Sequence, residues 1–431
     1  MAIIFWPVTY HDWEWNSGVP IRGQGLVCRF HHHDIWINDG RIFCWLFWWL
    51  SFSAQNSAGR GTYPHIRRTF SYRFSRRSCP YNCGRPSFMD SHALFTGFAY
   101  AGMYIVVESW LNDKSTNETR GQMLAVYMII TMAGLSVGQL FGGLDDGITN
   151  ILFLTVSILV SVAVVPILVT ASQAPEFSEP ETVPLRRLFQ ISPLAFVGMG
   201  LQGFAASMIF GMGAVFANII GMTNQQGSVF LASFTVANVV MQYPIGRMSD
   251  LFDRRLVILI VASISGLAAA IASIVGLSNY WTLLGLTAIF GGFSMTIYSL
   301  CIAHANDYLS PSQMVGTASA LITVNGIGAI FGPPIIAALV DLFGSYMFFA
   351  MLSAVHMGLG LFVLARMYMR EAVPAEAQGP FIAVPDQGTA VAASLNPETA
   401  WSELDPELVA TEDPLTDNPY LDMPSLHKPS K

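Results

Sequence analysis

Residues 246–255 read Gly246-Arg247-Met248-Ser249-Asp250-Leu251-Phe252-Asp253-Arg254-Arg255 and stand between two apolar runs at 227–245 and 256–277. Five charged side chains so close together belong in water. Each flanking run, at about 1.5 Å of rise per helical residue, spans a hydrocarbon core about 30 Å thick. The charged decapeptide is therefore a short loop at one membrane face, joining two antiparallel spans.

Working outward with hydropathy and with Gly, Pro and charge as punctuation, nine spans fall at 96–111, 121–143, 149–171, 193–219, 227–245, 256–277, 280–303, 315–338 and 345–367. The whole chain of 431 residues is 53% hydrophobic and only 11% charged. A soluble domain carries about 25% charged residues, so an ordinary cytosolic globule is excluded. Counting alternate loops, Lys114, Arg120, Arg186, Arg187, Arg247, Arg254, Arg255, Arg366 and Arg370 all fall on one side, which the positive-inside rule makes cytoplasmic, as is the C-terminus. The opposite loops, with Asp145, Asp146, Asn224 and Ser278, hold no Lys or Arg.

The chain also repeats itself at an offset of 194 to 195 residues. Phe95-Thr96-Gly97-Phe98 matches Phe290-Gly291-Gly292-Phe293, Asn112-Asp113 matches Asn306-Asp307, and Gly121 matches Gly316. Gly134 and Gly138 match Gly328 and Gly332, while Gly142 falls opposite the bulky Ile336. Small residues every four positions let helices approach closely in lipid. A duplication predicts counterparts of 193–219, 227–245 and 256–277 near residues 1–24, 32–50 and 61–82, where no such apolar runs stand.

Residues 1–90 are unlike the rest: they hold seven of the ten Trp, four of the five Cys and ten of the Arg, but no Lys. A shift of reading frame over residues 1 to about 93 accounts for this. Trp has a single codon, and reading it one base later always yields Gly. The Trp at 6, 13, 15, 36, 45, 48 and 49 then become the glycines of membrane helices, and the cluster His31-His32-His33-Asp34 ceases to be a metal site. The opposing reading is a genuine Trp- and Arg-rich cytoplasmic or interfacial segment. The expected organisation is thus an anomalous segment at 1–94 in place of three helices, the rest of an N-terminal half at 95–172, a cytoplasmic loop at 173–192, a six-helix half at 193–370, and an acidic, disordered cytoplasmic tail at 371–431.

Residues 246–255 resemble the loop signature G-x-x-x-D-[RK]-x-G-R-[RK] of the major facilitator superfamily, with Leu251 and Asp253 departing from it. Gly246 is expected to permit tight packing, Asp250 to cap a neighbouring helix N-terminus, and Arg247, Arg254 and Arg255 to hold the loop inside. Gly134 to Gly143 resembles the superfamily's antiporter helix motif with Gln139 in place of Pro, and Gly328 to Pro333 keeps the Pro in the second half. Glu108-Ser-Trp-Leu-Asn112, Arg120-Gly121 and Tyr127-Met128 are similar to the YcaD-like branch. The resemblance implies an all-α polytopic fold of two six-helix pseudo-repeats, with about nine helices in frame. It also implies a permease moving a small solute by alternating access in a bacterial inner membrane.

Ionisable groups inside a membrane are expensive and therefore suspect. Glu108 is a gate or proton-coupling candidate, or else an interfacial carboxylate paired with Arg120 or a loop base. His356 reads as a packing histidine. Tyr104, Gln139, Gln202, Asn218, Asn238, Gln242, Tyr298 and Asn325 are cavity candidates; as a set they suit an uncharged or amphiphilic substrate. No catalytic constellation, cofactor, metal site or nucleic-acid partner is expected. The partners expected are the lipid bilayer, an unspecified small molecule and protons as a candidate coupling ion, with the protein a monomer. The competing reading is a non-transporting, truncated product. A genomic read across codons 1–96 is expected to find the shifted frame open throughout; a stop codon in it would refute the shift.

Overall fold

The computed structural model describes residues 86–116, 119–144, 151–169, 183–275, 279–309, 311–370, 373–374, 378–386 and 388–396, and the side chains of most of them. The proposed frame shift and the three helices it would restore lie outside these residues. Eleven α-helices follow in order: α1 (Pro86–Lys114), α2 (Arg120–Phe141), α3 (Ile151–Val169), α4 (Leu185–Ile191), α5 (Pro193–Ile219), α6 (Asn224–Leu251), α7 (Arg254–Ile274), α8 (Tyr280–Ser294), α9 (Thr296–Asn306), α10 (Pro311–Phe343) and α11 (Met347–Met369). Among the described residues, seven helical stretches are long and apolar enough to cross a membrane, with α8 and α9 counted as one. The charged Gly246–Arg255 stretch does separate two of them.

Local chemistry sets the helix ends. Thr223 and Gln226 form a capping box at the start of α6, with reciprocal bonds of 3.2 and 3.0 Å. Asn279 caps α8 and Asp253 caps α7 through side-chain oxygens. The expected span at 280–303 corresponds to one apolar stretch, Tyr280–Asn306, built of two helical segments that meet at Met295. There the Thr296 hydroxyl donates to the Phe293 carbonyl at 2.7 Å, and Ser294 turns aside to His356, so local side-chain bonds compete with the helical ladder.

Two apolar cores hold the second half together. Near the end where α5 meets α6, Phe216 stacks on Phe348 at 4.4 Å while Phe230, Phe234, Phe290 and Phe349 meet one another edge-on. The other core, around Met199, Val261, Tyr298 and Leu321, lies toward the end carrying Arg254 and Arg370, here called the basic end. His356 sits between helices with Nδ1 2.8 Å from the Leu352 carbonyl and Nε2 2.7 Å from Ser294 Oγ, the arrangement of a packing histidine.

The repeated glycines do different work in the two halves. A Cβ on Gly328 would lie 1.9 Å from the Gly200 carbonyl oxygen, and one on Gly332 would lie 2.1 Å from Ser207 Oγ, so α10 lies on α5 backbone to backbone. Gly134 and Gly138 have no described atom within 4 Å of that position. At the far end of α2, a Cβ on Gly143 would come within 3.2 Å of the Gln225 backbone, a close approach between the two halves. Because the Gly328 clash is with main chain, Gly328→Ala is expected to lower stability in detergent by about 1–3 kcal/mol, read by thermal unfolding. Gly285→Ala, in open space, is expected to change it by less than about 0.5 kcal/mol.

Candidate functional site

Two closures and a polar interior between them make up the site. Along the end where α5 meets α6, the halves meet directly through α2 and α6. Ser136 Oγ lies 3.1 Å from Thr235 Oγ1, and the Thr235 hydroxyl donates to Gln139 Oε1 at 3.2 Å. Gln139, which occupies the proline position of the antiporter motif, thus serves as an acceptor between halves. Further along the same seam the Asn238 amide approaches Met132 Sδ at 3.9 Å.

The polar interior comes chiefly from α5, α6 and α9. Gln202, Asn238, Gln242 and Tyr298 are all buried, and Gln202 Oε1, Asn238 Oδ1, Gln242 Oε1 and the Tyr298 hydroxyl have no hydrogen-bond partner among the described residues. The Gln242 amide donates to Ser299 Oγ at 3.0 Å, tying α6 to α9. Two cavity candidates turn out otherwise. Asn218 is exposed at the last turn of α5, and Asn325 donates to the Met199 carbonyl at 3.1 Å as a bond between α10 and α5. Tyr104 packs with Leu124 and Tyr127 at the basic end.

At the basic end the loop motif forms a knot. Arg254 is buried; its Nε donates to Ser249 Oγ at 2.9 Å, Nη1 to Asp307 Oδ1 at 2.5 Å and to the Ala303 carbonyl at 2.8 Å, and Nη2 to the Gly379 carbonyl at 2.7 Å. Arg255 pairs with Asp253 at 2.9 Å and donates to the Arg370 carbonyl at 2.7 Å. Arg247 is exposed. Asp250 does not cap a helix: its Oδ1 accepts the Phe381 N–H at 2.6 Å, and the face of Gly246 is covered by the Phe381 ring, 2.4 Å from where a Cβ would sit.

Glu108 is fully buried, and its carboxylate is bound not by Arg120, which is buried at the start of α2, but by the Tyr127 hydroxyl at 2.7 Å and by Thr389. The Thr389 N–H lies 3.1 and 3.0 Å from the two carboxylate oxygens, and its hydroxyl also donates to Oε2. The tail after residue 371, expected to be solvated chain, is instead packed where it is described. Val373, Val384, Ala392 and Leu395 are buried, and a 3-10 turn at Ala390–Leu395 lies against α1, α2 and α10. Ser299, Thr235, Phe381 and Thr389 were not among the candidate residues. Of these only Thr389 carries a sequence signal, a hydroxyl standing immediately before the helical turn it caps.

Seven described stretches long and apolar enough to cross a membrane, with buried uncharged polar side chains among them, are the architecture of a polytopic membrane protein. Residues 195–409 match the Major Facilitator Superfamily, which bears out the resemblance carried by the Gly246–Arg255 loop. It is 26% identical over 262 residues to the uncharacterized MFS-type transporter YcaD of Escherichia fergusonii, covering 60% of this chain and 67% of that one. It is 27% identical over 290 residues to an uncharacterized MFS-type transporter of Yersinia pestis, covering 67% and 73%. Among solved structures, a bacterial homolog of the human lysosomal transporter Spinster, inward-facing and unoccupied, superposes with a TM-score of 0.52 at 13% identity, over 86% of this chain and 90% of that one. That likeness is one of fold.

Asp307→Ala leaves the Arg254 guanidinium buried beside an empty carboxylate position. It is expected to destabilise the protein by about 3 kcal/mol in unfolding experiments, the usual consequence of removing one partner of a buried ion pair.

Proposed function

We propose that this chain is a secondary active transporter that moves a small, uncharged or amphiphilic solute by alternating access of its two halves. The observation that carries the reading is the set of buried polar atoms of Gln202, Asn238, Gln242 and Tyr298 that have no partner among the described residues. Leaving such an atom unsatisfied costs about 1–3 kcal/mol, a cost that a solute bearing N–H or O–H donors removes on binding. The amide oxygens only accept, and the Tyr298 hydroxyl both accepts and donates, so the site asks for a donor-rich solute without asking for a charge.

The remaining parts fit the same scheme. The protein sits as a multi-pass monomer in a bacterial inner membrane with its basic end and C-terminus in the cytoplasm, in keeping with the positive-inside distribution. Glu108, buried and bonded to the hydroxyls of Tyr127 and Thr389, is the group suited to carry a coupling proton, because a carboxyl in that setting exchanges a charge for a neutral donor on protonation. No cofactor and no nucleic acid enters the cycle.

The composition of residues 1–94 favours a second reading: the printed chain lacks three helices of the first half and does not transport. One experiment separates the two. The gene is rebuilt with the upstream frame corrected, and both versions are placed in proteoliposomes with a panel of labelled uncharged and amphiphilic solutes under an imposed proton gradient. The rebuilt protein is expected to carry at least one solute. Tyr298→Phe is expected to raise its half-saturating concentration about fivefold to tenfold, the loss of one hydrogen bond of ~1 kcal/mol. Flux by neither version refutes transport, and equal flux by both refutes the truncated-protein reading.

A further inference from the structure

The segment after the last membrane helix leaves the second half, crosses the basic-end mouth and reaches the first half. On the second half it is fixed at successive points: the Gly379 N–H to Asp307 Oδ1 at 3.2 Å, the Gly379 carbonyl to Arg254, the Phe381 N–H to Asp250, and the Val384 N–H and carbonyl each 3.2 Å from Ser299 Oγ. A turn closed by the Gly388 N–H on the Pro385 carbonyl at 2.8 Å then redirects the chain. On the first half Thr389 takes the Glu108 carboxylate, and Leu395 and Ile382 complete an apolar cluster with Leu124, Tyr127 and Val107.

Three features make this more than a tail resting on a surface. Asp250 is exposed, but the other groups the segment bonds, Arg254, Asp307, Ser299 and Glu108, have buried side chains, and the Glu108 carboxylate has no exposure of its own. It bridges the end of the bundle opposite the direct α2–α6 seam, so the interior is bounded by the seam at one end and by this segment at the other. And Ser299, which the segment covers, is the same residue that holds Gln242, an acceptor of the polar interior.

We propose that residues 379–396 are a strap that closes the basic-end mouth between the two halves, and that solute exchange at that face requires its release. Only the second clause rests on the transport reading. The bonds of the strap on the two halves differ in kind: main-chain bonds and a buried arginine on the second half, one carboxylate and one apolar cluster on the first. Release therefore begins at Thr389 and Leu395, with the strap still anchored at Gly379.

The test uses the full chain, purified in detergent, with its native cysteines changed to serine and Ser299→Cys as the reporter. A maleimide reagent measures access to position 299. In the parent the thiol is expected to be protected. Leu395→Glu places a carboxylate in the apolar cluster beside Glu108, and Thr389→Pro removes both the hydroxyl and the N–H that hold the carboxylate. Each is expected to raise the labelling rate about tenfold or more, with Leu395→Met remaining near the parent. Thr389→Pro leaves the buried core residues in place and serves if Leu395→Glu does not fold, as judged by its gel-filtration profile. Labelling as fast in the parent as in the folded variants overturns the strap, and so does equal protection in all of them. Absence of flux while position 299 becomes reactive in the variants counts against transport and leaves the strap standing.

Discussion

The guanidinium of Arg254 is buried at the basic end, and the arrangement there follows from the need to satisfy it. A buried arginine is stable only when its donors are met by a carboxylate and by carbonyls at good geometry. Asp307 supplies the charge from the end of α9, Ala303 supplies a carbonyl one turn earlier, Ser249 supplies a hydroxyl from α6, and Gly379 supplies a carbonyl from beyond α11. One side chain thereby gathers α6, α7, α9 and the following segment at a single point. The neighbouring Arg255 extends the knot to the end of α11 through the Arg370 carbonyl.

With that end fixed, packing elsewhere depends on close approach. Gly203, Gly328 and Gly332 let α5 and α10 touch along their main chains, and Gly291 does the same for α8 against Phe234 of α6. Dispersion at such short range replaces the hydrophobic drive that lipid cannot provide between helices. The aromatic core around Phe216 then fills the opposite end, where ring pairs add ~0.5–1.5 kcal/mol each beyond their burial. Polar residues are left to the middle, which is where Gln202, Asn238 and Gln242 stand.

Helix positions were legible because hydropathy and caps are local properties: the Asp253 cap on Arg255 lies two residues away, and Thr223 finds Gln226 three away. Long-range partners were not. Arg254 meets Asp307 across 53 residues, and nothing in either neighbourhood names the other. Asn218 and Asn325 were read as cavity residues because a polar side chain on an apolar helix says only that a partner is needed, not whether it is a solute or a neighbouring main chain. The tail misled in the opposite sense. Its Pro, Ala and acidic composition lacks the periodicity of a self-supporting helix, but Phe381, Val384 and Leu395 are held by surfaces that other helices provide, and periodicity does not register borrowed order.

The α2–α6 seam runs from Gly143, set against the Gln225 backbone at one end of the bundle, to Met132 beside Asn238 half-way along α6, and leaves the basic end free of it. A pivot so placed turns the two halves into long lever arms. A rotation of about 5°, scarcely felt at Ser136 and Thr235, becomes a displacement of about 2 Å at Asp250, roughly the ~22 Å arm along α6 multiplied by the angle. Mechanical advantage thus favours the basic end as the place where small forces, such as one carboxylate gaining or losing a proton, have the largest geometric effect.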